Sequence, residues 1–163
     1  MVHVDTGEQP APHVEGGEEE RFTLDPAAAG GWPAIAAALA RKAEHLASDE
    51  ERAWWLCLSA DVPGVPGIQL EVMPWEVRAE IREDLFDPGG PRLDAVTTSA
   101  MVDDGWQPPD HFDGFHPGWW QVFPAPYDLR AICRAMVDWF STGFDLPDEL
   151  TTTLSVISGG QIV

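Results

Sequence analysis

The strongest constraint on the fold is the alternation of apolar and polar residues in GIQLEV and EVRAEIR, on either side of Pro74 and Trp75. A period of two residues is typical of a β-strand with one buried and one polar face. If Pro74 and Trp75 form a tight connection, antiparallel pairing sets these apolar residues opposite one another on one face: Val72 with Val77, Leu70 with Ala79, and Ile68 with Ile81. The other face then carries Gln69, Glu71, Glu76, Arg78, Glu80 and Arg82. The alternation therefore predicts a hairpin that covers a core on one side only.

A helix is the rival interpretation of residues 74–86. Pro74 can start such a helix, and Val77, Ile81 and Leu85 recur at the spacing of one helical face. Pro-Trp is also an unfavoured two-residue hairpin turn, because neither residue adopts positive φ easily. The alternation is strict on both sides of the turn, and it favours the strands.

Three other segments have the period of a helix. Residues 33–47 begin with a proline and place their larger apolar side chains on one stripe. Residues 127–140 have the clearest stripe of the chain, formed by Leu129, Ile132, Cys133, Met136 and Phe140. The pattern of residues 92–105 predicts a helix that ends at Gly105. The side chains expected to face the core are those of Leu93, Val96, Ala100 and Met101.

Three more segments predict strands. Residues 53–60 have two fairly apolar faces, which favours a position inside a sheet. Residues 119–123 form a short strand. Residues 151–158 are β-branched, and we expect either an edge strand or a loosely packed segment there.

Composition limits the classes of partner and compartment. The formal charge of -19 repels phosphate backbones and anionic lipid, so neither nucleic acid nor a membrane surface is an expected ligand. We interpret residues 1–21 as a disordered acidic tail and residues 22–163 as a single domain. No signal peptide or membrane-spanning run is apparent, and Cys57 and Cys133 lie in apolar patterns that suit reduced core thiols. These features predict a cytoplasmic protein.

The eight tryptophans suggest a contact surface. Trp119 and Trp120 are adjacent in a predicted strand, so their side chains point to opposite faces and at least one must meet something other than the main core. Exposed tryptophan is a frequent anchor for a protein partner. The alternative is that the loop of residues 107–117 covers the second indole.

Signals for catalysis or metal binding are weak. The clustered metal-type ligands are His111, Asp113 and His116, which lie in a Gly-Pro loop without the spacing that a helix supplies. That loop is better explained by two phenylalanines that anchor it while the polar residues face water. Neither cysteine has a basic setting, and no nucleophile or phosphate-binding motif is present. We therefore predict no catalytic residues, no cofactor and no metal.

Short motifs in a fixed order resemble the YbjN-like and type III secretion chaperone-like (TY-Chap) family over roughly residues 33–150. The matching residues are Ile68-Gln69-Leu70, Arg78-Ala79-Glu80-Ile81, Gly105-Trp106 with Pro108 or Pro109, and Leu146-Pro147 with Leu150. Asp103-Asp104 differs from the apolar residues that the family places before Gly-Trp.

The resemblance implies an α+β fold in which an antiparallel sheet of about four to five strands packs with three helices, often assembled as a dimer. It also implies non-covalent binding of another protein, with no family catalytic residues. Gly105, Trp106 and Pro108 would then be structural, because a helix that stops sharply lets the indole fold back under the sheet.

Three functional hypotheses follow. The first is a chaperone or adaptor that binds another protein through Trp119, Trp120, Gln69, Glu71 and Glu80. The second is an acidic immunity-type inhibitor that neutralises a basic partner. The third is a small metalloprotein that uses His111, Asp113 and His116.

Overall fold

The computed structural model describes residues 19–24, 30–49, 51–60, 67–82, 93–109, 118–147 and 152–161. In chain order, the elements of these ranges are β1 (Glu19–Leu24), α1 (Trp32–Ala47), β2 (Arg52–Ala60), β3 (Gly67–Val72), β4 (Glu76–Arg82), α2 (Ala95–Asp103), β5 (Gly118–Pro124), α3 (Leu129–Gly143) and β6 (Thr152–Gln161). The predicted α+β class is confirmed. None of the helices in this part of the chain combines the length and apolar character needed to cross a bilayer.

The described strands form one antiparallel sheet in the order β1-β6-β2-β3-β4-β5. It has six strands rather than the predicted four or five, because β1 forms at Glu19, three residues before the expected start of the domain at residue 22. Residues 1–18 of the predicted tail lie outside the described residues.

The last strand is not at an edge, so that part of the prediction was wrong. β6 pairs with β1 on one side and β2 on the other. Leu154 and Val156 of β6 enter the core, while Ser155 between them is buried on the other face. A segment with buried side chains on both faces is stabilised most between two strands, which explains its central position.

The hairpin of β3 and β4 has the predicted register. Ile68 pairs with Ile81, Leu70 with Ala79 and Val72 with Val77, and all six are buried. The turn is closed by the backbone N–H of Met73, which donates to the carbonyl of Glu76 at 3.0 Å. The helical alternative for residues 74–86 is therefore excluded for residues 76–82.

The core lies on one side of the sheet, under α1 and α3. The α3 stripe of Leu129, Ile132, Cys133, Met136 and Phe140 is buried as predicted. The two helices also meet at one end, where Trp32 and Phe140 make an edge-to-face contact with ring centroids 6.1 Å apart. Together with the apolar strand residues they form a single buried cluster.

Helix α2 is shorter and more exposed than predicted. It begins at Ala95, because Asp94 is the N-cap and accepts from the backbone N–H of Thr97 at 2.7 Å. Only Met101 of the helix is buried, whereas Val96 is 81% exposed and Ala100 is also exposed. The inward positions predicted for Val96 and Ala100 were therefore wrong, since a helix this short packs mainly through its last turn.

The end of α2 explains the Gly-Trp pair. Gly105 has φ of 95° and donates to the Val102 carbonyl, while the Trp106 N–H donates to the Met101 carbonyl. This is the Schellman pattern, which favours glycine at the left-handed position. The chain turns back there, and Trp106 enters the core with 1% of its surface exposed.

The segment after Trp106 then crosses to β5. The N–H of Gln107 donates to the carbonyl of Trp120 at 2.8 Å, and the N–H of Trp120 donates back at 3.1 Å. Pro108 and Pro109 follow and cannot extend this pairing as donors. The bridge anchors the crossing chain at the edge of β5.

Candidate functional site

The face of the sheet opposite to the helices is the candidate site. We call it the open sheet face and define it by Trp55, Gln69, Glu71, Arg78, Glu80, Arg82, Trp120 and Val122. None of these residues belongs to the buried core cluster, because each alternates along its strand with residues that do. The strand period thus separates a packed face from one with charged and aromatic groups.

Strand pairing arranges this face in cross-strand rows. Gln69 lies opposite Glu80, and Glu80 lies opposite Trp120. In the next row Glu71 lies opposite Arg78, which in turn lies opposite Val122. Side chains directly opposite one another on antiparallel strands are in contact range, so each row is a continuous strip.

Arg82 connects the first row to the end of β4. Its Nε donates to Glu80 Oε1 at 2.9 Å, and its Nη2 donates to Gln69 Oε1 at 2.7 Å. The Arg82 side chain is 29% exposed and that of Glu80 is 15% exposed. Glu80 and Gln69, two of the predicted binding residues, are therefore brought together by one guanidinium.

Arg78 has a similar role in the second row. Its Nε donates to Glu76 Oε2 at 2.6 Å, and its Nη1 lies 3.9 Å from Glu71 Oε2. The hydrogen bond to Glu76 is the main cause of a raised pKa for the Arg78 guanidinium. Burial raises the pKa of the Glu71 carboxyl, although Arg78 opposes that shift and Glu76 adds to it. Burial in the open sheet face therefore disfavours the ionised form of Glu71.

Apolar groups lie beside these ion pairs. Val122 is 39% exposed, and Trp55 and Trp120 are half-buried. Trp75, in the connection between β3 and β4, is 49% exposed. Exposed aromatic and aliphatic side chains next to paired charges are typical of protein contact surfaces.

The two adjacent tryptophans do point to opposite faces, as predicted, but only one lies on the candidate surface. Trp119 is 8% exposed and pairs in register with the core residue Ile81. Its predicted role as a binding residue was therefore wrong, because β5 aligns Trp119 with the buried row of β4. Trp120 occupies the open sheet face beside Glu80. Residues 110–117 of the loop proposed to cover an indole lie outside the described residues.

Sequence reasoning placed Arg78 on the polar face, but it missed Trp55, Trp75 and Val122 as members of a contact surface. Trp55 follows from its pairing with Glu71, and Val122 from its pairing with Arg78. Neither pairing is readable from the sequence, since both join segments that are distant along the chain. The exposed turn position of Trp75, by contrast, was indicated by the short connection between two strict alternations.

The open sheet face has little depth. A depression of about 120 Å³ lies among Gln69, Glu71, Arg78, Glu80, Trp120 and Val122. Pockets for small molecules are usually about 300 Å³ or larger. The surface is therefore better shaped for a macromolecular contact.

Metal and thiol chemistry find no support in the described ranges. No group of three or more His, Cys, Asp or Glu side chains in these ranges is arranged to hold a metal ion. The predicted cluster of His111, Asp113 and His116 lies outside them. Cys57 and Cys133 are both free and buried, and burial raises the pKa of the Cys133 thiol to about 12. Such a thiol is inert at neutral pH.

Comparison of the chain with protein-family models, with curated proteins and with solved structures found no match.

Proposed function

We propose that this chain is a non-catalytic, cytoplasmic protein-binding domain that acts as a chaperone or adaptor and docks its partner on the open sheet face. The observation that carries the proposal is the combination on one sheet face of the exposed Val122 and two half-buried indoles with charges that are already paired. The resemblance to the TY-Chap family supports the same class of function, and its frequent dimers suggest a second copy as one partner. Free buried thiols are consistent with a reducing compartment.

The charge balance of the face supports a partner that need not be basic. Its charged groups, together with Glu76, comprise three carboxylates and two guanidiniums, against a formal charge of -19 for the whole chain. Because each guanidinium already contacts a carboxylate, a partner that covers the face does not have to supply a carboxylate to either arginine. Apolar contact at Val122 and Trp120 would then supply most of the affinity.

The same pairing supports a role without catalysis. A carboxylate can act as a general acid or base only if it can exchange a proton with a substrate. Glu80 is held by Arg82, and Glu76 by Arg78, at hydrogen-bonding distance. These contacts hold the carboxylates in the surface of the sheet.

The test is retention of a partner by the immobilised chain in native lysate, with two matched valine variants. Val122→Glu adds a charge at the centre of the apolar part, opposite Arg78. Val96→Glu adds the same charge on α2, where the side chain is already 81% exposed. We expect Val122→Glu to abolish retention and Val96→Glu to leave it intact. Recovery of the wild-type chain alone, or equal retention by both variants, would refute the proposal.

The acidic-inhibitor hypothesis predicts a different response to salt. It is favoured by the charge of -19, which would steer a basic partner. A complex held by that field should dissociate as salt is raised, since screening acts over about 8 Å at physiological ionic strength. Release by salt together with insensitivity to Val122→Glu would select the inhibitor over the adaptor.

A further inference from the structure

A groove on the outer side of the helix pair, away from the open sheet face, has the opposite charge character to the rest of the chain. Two adjoining cavities of about 210 and 510 Å³ lie between α1 and α3 and share Pro33, Ala36 and Arg134. We call this the arginine groove. Arg41 and Arg130 line its smaller part, and Trp32 and Val137 line its larger part.

The arginines of the groove differ from the other cations in their pairing. Among the described residues, Arg52, Arg78, Arg82 and Arg130 each lie within ion-pair distance of a carboxylate. Arg41 and Arg134 are exposed and have no ion-pair or hydrogen-bond partner in the described ranges. Arg130 is held to Glu44 through Nε at 2.9 Å, which leaves its terminal nitrogens to donate elsewhere.

Two unpaired guanidiniums beside one groove are unexpected in a chain with 28 acidic and 9 basic residues. In such a chain a surface arginine has many carboxylates to pair with. The arginine groove therefore presents local positive charge together with a floor of alanine side chains. Because alanine projects only one methyl group, a peptide backbone can approach the helices closely there.

We infer that the arginine groove binds a peptide segment of a protein partner in which Asp or Glu residues alternate with small apolar residues. Guanidinium groups pair with carboxylates in a planar, bidentate geometry, which makes Arg41 and Arg134 suited to that segment. The α3 wall from Arg130 to Ser141 is about 16 Å long, and an extended segment of about five residues spans that distance.

The charges of the groove also determine which of its ends the acidic side chains contact. Asp138 and Ser141 lie at the end away from Arg41 and Arg130, and Asp138 would repel a carboxylate. Acidic side chains should therefore face the end with the arginines. The small apolar residues between them should lie against the alanine floor formed by Ala36, Ala37 and Ala40.

The experiment measures fluorescence anisotropy of a labelled peptide of about eight residues that alternates alanine and glutamate, titrated with the full chain. A second peptide has glutamine in place of glutamate. We expect the glutamate peptide to bind about tenfold more tightly, and Arg41→Gln with Arg134→Gln to weaken its binding by about the same factor. Equal binding of the two peptides, or no binding of either, would overturn the inference.

A control variant matches the loss of charge. Arg21→Gln with Arg52→Gln removes the same two charges at exposed positions outside the groove. We expect this control to bind the glutamate peptide like the wild type. If both double variants lost affinity for the peptide equally, net charge alone would explain the loss, and the inference would be overturned. Light scattering supplies a further outcome. If the wild type is a dimer and only the groove variant is a monomer, the groove binds a second copy of the chain. That result would also overturn the inference.

Discussion

Replacement of Trp106 by alanine tests the packing on which the fold depends. The indole is 1% exposed and meets Phe123 edge-to-face, with ring centroids 6.4 Å apart. A buried tryptophan removes roughly 150 to 250 Å² from water, which at about 25 cal/mol per Å² corresponds to about 4 to 6 kcal/mol as an upper bound. Measured truncations of large buried aromatics cost about 3 to 5 kcal/mol. We therefore expect Trp106→Ala to lower the free energy of unfolding by about 4 kcal/mol.

The indole nitrogen refines this prediction. Nε1 of Trp106 is buried and has no hydrogen-bond partner in the described part of the chain, whereas Nε1 of Trp32 donates to the carbonyl of Leu146 at 3.3 Å. Replacement by phenylalanine removes a donor at both sites and leaves an aromatic ring. Only at Trp32 does it also break a hydrogen bond. Trp32→Phe should therefore cost about 1 kcal/mol more than Trp106→Phe.

Urea denaturation followed by far-ultraviolet circular dichroism is the suitable assay, because eight tryptophans make fluorescence hard to assign. The dependence of the unfolding free energy on urea should be the same for all variants, so that midpoints can be compared directly. A cost below about 1 kcal/mol for Trp106→Ala would refute the packing argument, since a side chain left in water costs little to truncate. Equal costs for the two phenylalanine variants would refute the argument from the indole nitrogen.

Three other predictions concern the backbone, the thiols and the open sheet face. Gly105→Ala should lower the free energy of unfolding, measured by urea denaturation, by about 1 to 3 kcal/mol, because alanine is strained at a left-handed position. The added methyl group would also lie 2.8 Å from Gln121 Nε2. An unchanged free energy of unfolding would contradict this. Cys57 and Cys133 should resist alkylation at pH 8 until the chain is unfolded, and labelling of the native chain would contradict their burial. Glu71→Gln should raise the melting temperature at pH 7. The pKa of Glu71 is raised above 4.5 in the folded chain, so protonated Glu71 contributes stability to the fold that is complete below pH 4.5 and is lost as pH rises through the raised pKa. Glutamine stays neutral at pH 7 and therefore avoids that loss. A gain that persists below pH 4.5 would disprove this cause.

About half of the candidate site was predictable. Gln69, Glu71 and Glu80 were placed on the polar face from the hairpin alone, and the structure puts them there. Arg78 and Arg82, which contact these residues, lie in the same hairpin, so the local alternation also places the two arginines on the polar face. Trp119 was misplaced, because alternation requires that two neighbours face apart without saying which one faces the core. That choice came from the alignment of β5 with β4.

Local sequence determined the elements whose stability depends on near neighbours. The β3–β4 register follows from a short turn, the α3 stripe from helical periodicity, and the stop at Gly105 from a backbone angle of 95° that favours glycine. Each of these involves residues within a few positions of one another. No distant contact is needed to specify them.

Tertiary structure alone decided the central position of β6, the strand at Glu19–Leu24, the exposure of Val96 and the arginine groove. Each depends on pairings between segments that lie far apart in the chain, such as β6 with β2 or α1 with α3. A periodic pattern shows that a segment has an apolar side, but the identity of the segment that covers it depends on all the competing contacts of the folded chain.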